Sequence, residues 1–384
     1  MRIAIDGSTI CDRSGGFGAG IEHYTWSMIF SMLHCDSGHD FYIQVPDYFP
    51  RHLEHELLSG KAVGKISRMP KRIPFISHHV LYPLWLKMKK IDVLFCPYGQ
   101  MPFMCSTKTV VTIHDASIYE HPDWFPESAS GHISAKYIVP QTIKRADALI
   151  AVSNATKDQL LRVFPEIEKE IFVVHEGVDL PNKIDDACLK KFNLVQNTIL
   201  FIGTVEPRKN LVKAIGAFDR FLDSKPDNRL TTKFVIAGKM GWKTDEIQNK
   251  LLEVNGKWKA QVGHSVVSYV GVVSEAEKWA LVSCADILFY PSQEEGFGLP
   301  VLEAMACYTP VICSSKGALA EIGGDAVMYV NPDDEDQMSL AIAQCLLVPE
   351  GTRLLRDAGI KRAKQFTWQK SAKQTLEIIE GLKS

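Results

Sequence analysis

Short apolar runs alternate along this chain with longer stretches whose apolar residues recur at helical spacing. The runs fall near 2–6, 41–45, 92–96, 109–113, 148–152 and 171–174 in the first half, and near 198–203, 233–237, 267–271, 286–290, 310–313 and 327–330 in the second. Several are apolar on both faces, such as Ala148-Leu149-Ile150-Ala151-Val152 and Phe234-Val235-Ile236-Ala237, which is how buried parallel strands read. Strands separated by helical patterns imply βαβ units, so the pattern predicts an α/β chain of two doubly wound domains. The boundary falls near 178–196, where Val178-Asp179-Leu180-Pro181-Asn182-Lys183 breaks the alternation. From Trp368 onward, Ala372, Leu376, Ile379 and Leu382 mark one apolar stripe of a terminal helix.

The length of 384 residues suits two cores rather than one. A net charge of −2 makes no whole-chain case for nucleic-acid binding. No stretch approaches the apolar length of a membrane span, and Met1-Arg2-Ile3-Ala4-Ile5-Asp6 reads as a strand rather than a signal peptide. The nine cysteines are scattered and form no C-x-x-C pair. That usage is expected of reduced core thiols in the cytoplasm.

Candidate chemistry concentrates in a few strand-end segments. The richest is Pro291-Ser292-Gln293-Glu294-Glu295-Gly296-Phe297-Gly298-Leu299-Pro300-Val301-Leu302-Glu303. A strand leads in, a glycine turn follows, and Pro300 suits the first turn of a helix because its missing N–H would be unpaired there. Glu295 then lies at a sheet edge and Glu303 one turn into the helix, both able to face a crevice beside a positive helix end. Taken singly, each acid would read as a solvated loop residue or a helix-dipole partner. In Gly203-Thr204-Val205-Glu206-Pro207-Arg208-Lys209-Asn210-Leu211, two cations precede a helix that Asn210 is placed to cap, and Arg and Lys suit phosphate oxygens. His114 ends the strand Val111-Thr112-Ile113, with Asp115 beside it, where α/β folds place ligands. Ser315-Lys316-Gly317-Ala318-Leu319 opens a further short helix, with the amides of 317–319 available to an anion. Gly15-Gly16-Phe17-Gly18-Ala19-Gly20-Ile21-Glu22 follows the first strand, but its spacing does not match G-x-G-x-x-G, which counts against a dehydrogenase.

In this order the segments resemble the retaining glycosyltransferases of the large GT4 family, which have the GT-B fold. The resemblance rests on E-x7-E from Glu295 to Glu303, on Glu-Pro-Arg-Lys-Asn at 206–210, on Gly-Ile-Glu at 20–22 and on the strand-end His114. Ala19, Tyr308 and Ala320 depart from the family pattern. The resemblance implies two Rossmann-like domains facing a central cleft. They are an acceptor-side domain at 1–180 and a donor-side domain at 181–365, with a terminal helix at 366–384 crossing back to the first. It implies transfer of a hexose from a nucleotide-diphosphate sugar to a saccharide or lipid-linked acceptor in cell-surface glycan synthesis. The Glu-Pro-Arg-Lys-Asn segment leans to mannose from GDP-mannose. His114, Glu295, Arg208 and Lys209 would be catalytic. Gly20, Gly296, Phe297, Gly298, Leu299, Glu303, Gly317, Ala318 and Leu319 would join Arg208, Lys209 and Glu295 in holding the donor. The alternatives are a sugar-nucleotide 2-epimerase or other enzyme of that fold, and a non-catalytic sugar-nucleotide-binding protein.

Two further features bear on partners. Asp334-Glu335-Asp336 spells the D-x-D of metal-dependent transferases, but its place before a helical pattern reads as helix-start acids. With cations already available for a diphosphate, no catalytic metal and no resident cofactor are expected. Residues 61–90 hold eight Lys or Arg and no Asp or Glu, with Phe75, Tyr82, Trp85 and Leu86 interleaved. Such a segment can hold a protein at the inner face of an anionic membrane; the alternative is a helix packed on the first sheet with solvated lysine ends.

Overall fold

The computed structural model describes residues 1–10, 20–69, 74–126, 134–179, 191–192, 194 and 197–382. Residues 15–19 of the glycine-rich segment, Cys11, Cys188, Lys71, Arg72 and 180–190 of the expected boundary lie outside them. The chain forms two compact units. One comprises Met1–Glu120, Glu127–Gly177 and Phe366–Ser384, the other His121–Pro126 and Val178–Gln365.

The first unit is built on a parallel sheet of seven strands: β1 (Arg2–Asp6), β2 (Asp40–Pro46), β3 (Val63–Met69), β4 (Val93–Cys96), β5 (Lys108–Ile113), β6 (Ala148–Ala151) and β7 (Ile171–Val173). Their order is β3-β2-β1-β4-β5-β6-β7. The chain winds outward from β1 and then returns to β4, so the winding reverses between β1 and β4. Ile3, Ala4 and Ile5 are fully buried between helical layers, as their unbroken apolar run requires. The helix Gly20–His34 is buried nearly all round, and the terminal helix Trp368–Gly381 covers it. His23 and Tyr24 lie 5.6 and 5.8 Å from the Trp368 ring. A Cβ on Gly177 would stand 2.1 Å from the Trp368 amide nitrogen, so that approach requires glycine.

Strand β3 takes the first part of 61–90, a strand that the apolar runs did not reveal. Residues 63–69 pair with β2 in register, Ile66 opposite Ile43, and form the sheet's edge. Lys65 and Arg68 on this strand are exposed, as expected where an unpaired edge must resist further pairing. Gly64 and the alternating charges hide the strand from a search for apolar runs. A helical segment follows at 74–88 and includes a π turn at Ser77–Leu81. Of the aromatic and apolar residues read there as surface anchors, Tyr82 and Leu86 are fully buried.

The second unit holds six parallel strands: β8 (Asn197–Ile202), β9 (Thr232–Ala237), β10 (Val267–Gly271), β11 (Ile287–Tyr290), β12 (Val311–Ser314) and β13 (Met328–Val330). Their order is β10-β9-β8-β11-β12-β13, with the winding reversal between β8 and β11. Cys35, Cys96, Cys105, Cys284, Cys307, Cys313 and Cys345 are free thiols. No helix among the described residues is long and apolar enough to cross a membrane.

Candidate active site

β8 and β11 are neighbours, and the chain winds away from them in opposite directions. The loops leaving their C-terminal ends therefore flank a crevice of the kind in which open α/β sheets bind ligands. After β8, the turn Pro207–Lys209 leads into the helix Leu211–Ser224. After β11, residues 291–298 lead into the helix Leu299–Ala306. The two loops are stitched together. The Gln293 amide donates to the Arg208 carbonyl at 2.8 Å, and Asn210 Nδ2 donates to the Pro332 and Pro291 carbonyls at 2.6 and 3.2 Å. Asn210 does not cap the following helix, contrary to expectation. It adopts φ 59°, ψ 32° with no side-chain cap bond, whereas a capping residue needs extended backbone.

These loops bring Arg208, Lys209 and Glu295 together. The Lys209 ammonium donates to Glu295 Oε1 and to the Tyr290 hydroxyl at 2.8 Å. Arg208 Nη1 lies 3.6 Å from Glu295 Oε2, and its Nε donates to Glu206 Oε1 at 2.5 Å. Burial disfavours the Glu295 carboxylate, yet Lys209 and Arg208 outweigh it and hold its pKa below the ordinary value. Burial also pulls the Lys209 ammonium down against the attraction of Glu295. Arg208 thus supports the Glu295 carboxylate and, together with burial, works against the Lys209 ammonium. Two cations thus face two carboxylates, Glu206 and Glu295, and both cations have chemistry suited to phosphate oxygens.

Glu303 is buried on the helix Leu299–Ala306, with Pro300 in its first turn as expected. Its Oε1 accepts from Lys278 Nζ at 2.6 Å. Burial opposes the Lys278 charge, but Glu303 and Glu275 raise its pKa above the ordinary value. The two carboxylates of the motif are therefore held by different lysines. Between them Phe297 is buried, Gly296 and Leu299 are half-buried, and Gly298 takes φ 103° to start the helix. The loop after β12 packs directly on this turn. A Cβ on Gly317, at φ +57°, would come within 2.4 Å of the Glu295 carbonyl oxygen. The Ala318 amide donates to that same carbonyl at 2.9 Å, and the Leu319 amide donates to Lys316 at 3.2 Å. This corrects the expectation of three free amides at 317–319: two are spent on holding the loops, which leaves Gly317.

In the first unit His114 sits at the end of β5, and both its ring nitrogens are engaged. Nδ1 lies 3.2 Å from Glu176 Oε1 and Nε2 lies 2.7 Å from the Pro97 carbonyl. Burial opposes the imidazolium, but Glu176 and the Pro97 carbonyl raise its pKa above the ordinary value. Tyr24 packs edge-on against the ring at 4.6 Å. Asp115 accepts from the Ser117 amide and hydroxyl at 3.3 and 3.0 Å, so it organises the next turn. Gly20 opens the helix Gly20–His34, and a Cβ there would meet nothing within 4 Å. Asp334 caps the helix Glu335–Leu347 through the Gln337 amide, while Glu335 and Asp336 pair with Arg220.

Sequence reasoning missed Tyr290, Lys278, Glu206 and Glu176 as partners. Tyr290 ends β11 immediately before the motif, and Glu206 lies inside the quoted Glu-Pro-Arg-Lys-Asn run, so both were within reach. Lys278 and Glu176 carry no local signal, since each meets its partner only across the fold.

The family described as Glycosyl transferases group 1 matches residues 189–366, and Glycosyltransferase Family 4 matches residues 19–181. The O-antigen chain mannosyltransferase B of Escherichia coli is 27% identical over 355 residues, covering 90% of this chain and 89% of that protein. The O-antigen chain mannosyltransferase RfbU of Salmonella typhimurium is 26% identical over 308 residues, covering 79% and 80%. In fold the chain is similar to sucrose-phosphate synthase of Thermosynechococcus elongatus (TM-score 0.72, 17% identity, 100% and 99% covered). It is also similar to Anabaena HepE in complex with UDP and glucose (TM-score 0.69, 17% identity, 99% and 100% covered). The two family matches together take in nearly the whole chain, on an architecture of two parallel Rossmann-like sheets, and the chain belongs to the GT4-type glycosyltransferases of the GT-B fold.

Proposed function

We propose that this glycosyltransferase moves a hexose, with mannose favoured, from a nucleotide-diphosphate sugar to a saccharide or lipid-linked acceptor. The transfer proceeds with retention and without a catalytic metal, in the making of cell-surface glycans on the cytoplasmic side. Relatives described as O-antigen mannosyltransferases support mannose and the glycan class, and GDP-mannose is the donor to which the Glu-Pro-Arg-Lys-Asn segment leans.

The observation that carries the reading is the charge-matched cluster of Arg208, Lys209, Glu206 and Glu295 beside the winding reversal of the second sheet. A donor diphosphate arriving there competes for the two cations. Lys209 transfers its donors from Glu295 to phosphate oxygens, which frees Glu295 to accept hydrogen bonds from sugar hydroxyls. As the bond from C1 to the diphosphate oxygen breaks, Arg208, Lys209 and the Gly317 amide stabilise the growing negative charge. The acceptor oxygen bonds to C1 from the same face, and its proton passes to the departing phosphate oxygen. Glu303 serves the nucleotide ribose. His114 keeps the sugar-positioning role that the family resemblance implies, and it must release the Pro97 carbonyl to do so.

Thermal stability measured against UDP, GDP, ADP and their sugar conjugates, with and without magnesium, tests this reading. Stabilisation by guanine nucleotides that does not depend on magnesium is expected. A response to uridine or adenine nucleotides alone would replace the donor, a strict need for magnesium would end the metal-free reading, and no response to any would remove the site. A glycosyl-enzyme trapped covalently on Glu295 would overturn the same-face attack.

A further inference from the structure

Asp6 is the last residue of β1 and is fully buried. The Ser8 amide donates to its Oδ1 at 3.1 Å, and His78 Nε2 and the Tyr98 hydroxyl donate to its Oδ2 at 2.8 Å each. Tyr98 in turn accepts from Ser8 Oγ at 3.0 Å. These residues come from the end of β1, from the loop after β4 and from the π turn at Ser77–Leu81. They meet where the winding of the first sheet reverses, between β1 and β4. An open α/β sheet receives ligands at such a place, and the sugar-transfer step uses none of these residues.

Pinning the segment 74–88 to the sheet does not require this cluster, because an apolar contact would do so without taking a carboxylate out of water. A π turn is a rare insertion in a helix and often marks a functional position; here it carries His78. Burial opposes the Asp6 carboxylate, but His78, Ser8 and Tyr98 together hold its pKa below the ordinary value. Burial also opposes the His78 charge, and Asp6 outweighs it. The other rings facing His78 stay neutral. His79, 4.7 Å away, is pulled down to about 4 by burial and by His78, and burial keeps the proton on Tyr82, 6.2 Å away. His78 thus spends Nε2–H on Asp6 and has one N–H left, on Nδ1. Nδ1 has no partner among the described residues and is not sealed from solvent, since the side chain is 16% exposed. Ser8 is half-buried in the same cluster.

The loop after β4 also joins this cluster to His114. The Pro97 carbonyl accepts from His114 Nε2 at 2.7 Å, and Tyr98 is the next residue. β1 and β5 flank β4, so they stand two strand spacings apart, about 10 Å, and one saccharide can touch both ends. We propose that His78 and Ser8 are specificity-determining residues, which bind a hydroxyl of an acceptor saccharide through His78 Nδ1 and Ser8 Oγ, with Asp6 and Tyr98 as positioning residues behind them. The Asp6–His78 pair carries no net charge, and Ser8 and Tyr98 add none. That balance favours a neutral hydroxyl over a phosphate, for which an unpaired cation is the better host. A donor placed for a substrate oxygen rejects ligands that lack it, because the buried polar groups are then left unpaired. The role of acceptor rests on the transferase reading; the binding of a saccharide does not.

Saturation-transfer NMR on the full chain, with the methyl α-glycosides of mannose, glucose, galactose and N-acetylglucosamine, tests the proposal with and without GDP. At least one glycoside is expected to bind and to shift the His78 imidazole resonance, which is identified by its loss in His78→Gln. Gln can still donate to Asp6 but offers no cationic N–H at the mouth. His78→Gln should therefore melt close to wild type and bind the glycoside at least ~tenfold more weakly. Ser8→Ala should weaken binding roughly threefold. Neither change should alter the thermal response to nucleotides, and where a glycoside serves as acceptor its KM should rise while the donor KM holds. A wild-type chain that binds no glycoside would overturn the proposal. So would a His78 resonance that stays fixed when one binds, or variants that bind it as wild type does. Glycoside binding that depends on His78 in a chain with no nucleotide response would support the site and sink the transferase reading.

Discussion

Lys209 and Glu295, 86 positions apart, meet as a buried ion pair, and the Tyr290 hydroxyl accepts a further bond from the same ammonium. Neither residue could be buried alone without a large desolvation cost. The pair exists because β8 and β11 are neighbours and both loops leave the same sheet edge. It places a cation suited to phosphate oxygens and a carboxylate suited to sugar hydroxyls in contact, each holding the other.

Lys209→Ala should lower turnover at least ~tenfold. It should also cost stability, about 3–5 kcal/mol, because Glu295 is left buried with one cation fewer. Lys209→Met combined with Glu295→Gln should recover most of the stability and none of the activity. Denaturant titration beside a transfer assay checks this. Full activity in Lys209→Ala would remove the cluster from the mechanism.

Glu303→Ala should weaken nucleotide-sugar binding and leave Lys278 without its main partner. Lys278→Met should have the same effect in smaller measure, because it frees Glu303 from a fixed position. Isothermal titration with GDP and GDP-mannose measures both, and unchanged affinity in Glu303→Ala would separate this carboxylate from the ribose.

Gly317→Ala introduces a Cβ at left-handed backbone within 2.4 Å of the Glu295 carbonyl. The expected stability loss is about 1–3 kcal/mol. Nucleotide binding should fall beyond what that loss explains, because the displaced loop carries Glu295. Native-like affinity in the folded variant would show that the loop contact does not position the site.

The first unit should lose stability as pH rises. His114 has a folded pKa above its ordinary 6.5, so its contribution is complete below 6.5 and is lost as pH climbs through the folded value. His78, held by Asp6, shifts the same way against its burial. Melting temperature should therefore decline above pH 6.5, and His114→Gln should flatten part of that decline. A variant whose profile overlays the wild type would show that the Glu176 contact holds a neutral imidazole. On the acid side, Glu295 works with the opposite sign. Its stabilisation is present above the ordinary 4.5 and is lost as pH falls through the depressed folded value.

The cluster at the end of the second sheet was legible in part because its members lie on short contiguous segments: Glu295 to Glu303 and Arg208 with Lys209 could be read from local order. In the first unit the strand-end place of His114 could be read in the same way. Strand β3 was not legible, since an edge strand carrying Gly64, Lys65 and Arg68 lacks the apolar run that marks a central one. Asn210 was misjudged because the same residue type serves both helix caps and left-handed turns, and only the positions of Pro291 and Pro332 decide between them.

What the chain alone determined was everything set by near neighbours: the α/β alternation, the winding of two sheets, the glycine turns, and the residue types that suit a nucleotide sugar. These depend on periodicity and backbone preference, which act over a few residues. The tertiary structure alone decided the partners. It gave Lys209 to Glu295, Lys278 to Glu303 and Glu176 to His114, spent the Ala318 amide on a loop, and turned Leu81, Leu84 and Met88 outward while Tyr82 and Leu86 went in. Such choices are made where distant strands and helices meet, because the energy of a buried charge or of an exposed apolar face depends on what surrounds it in space.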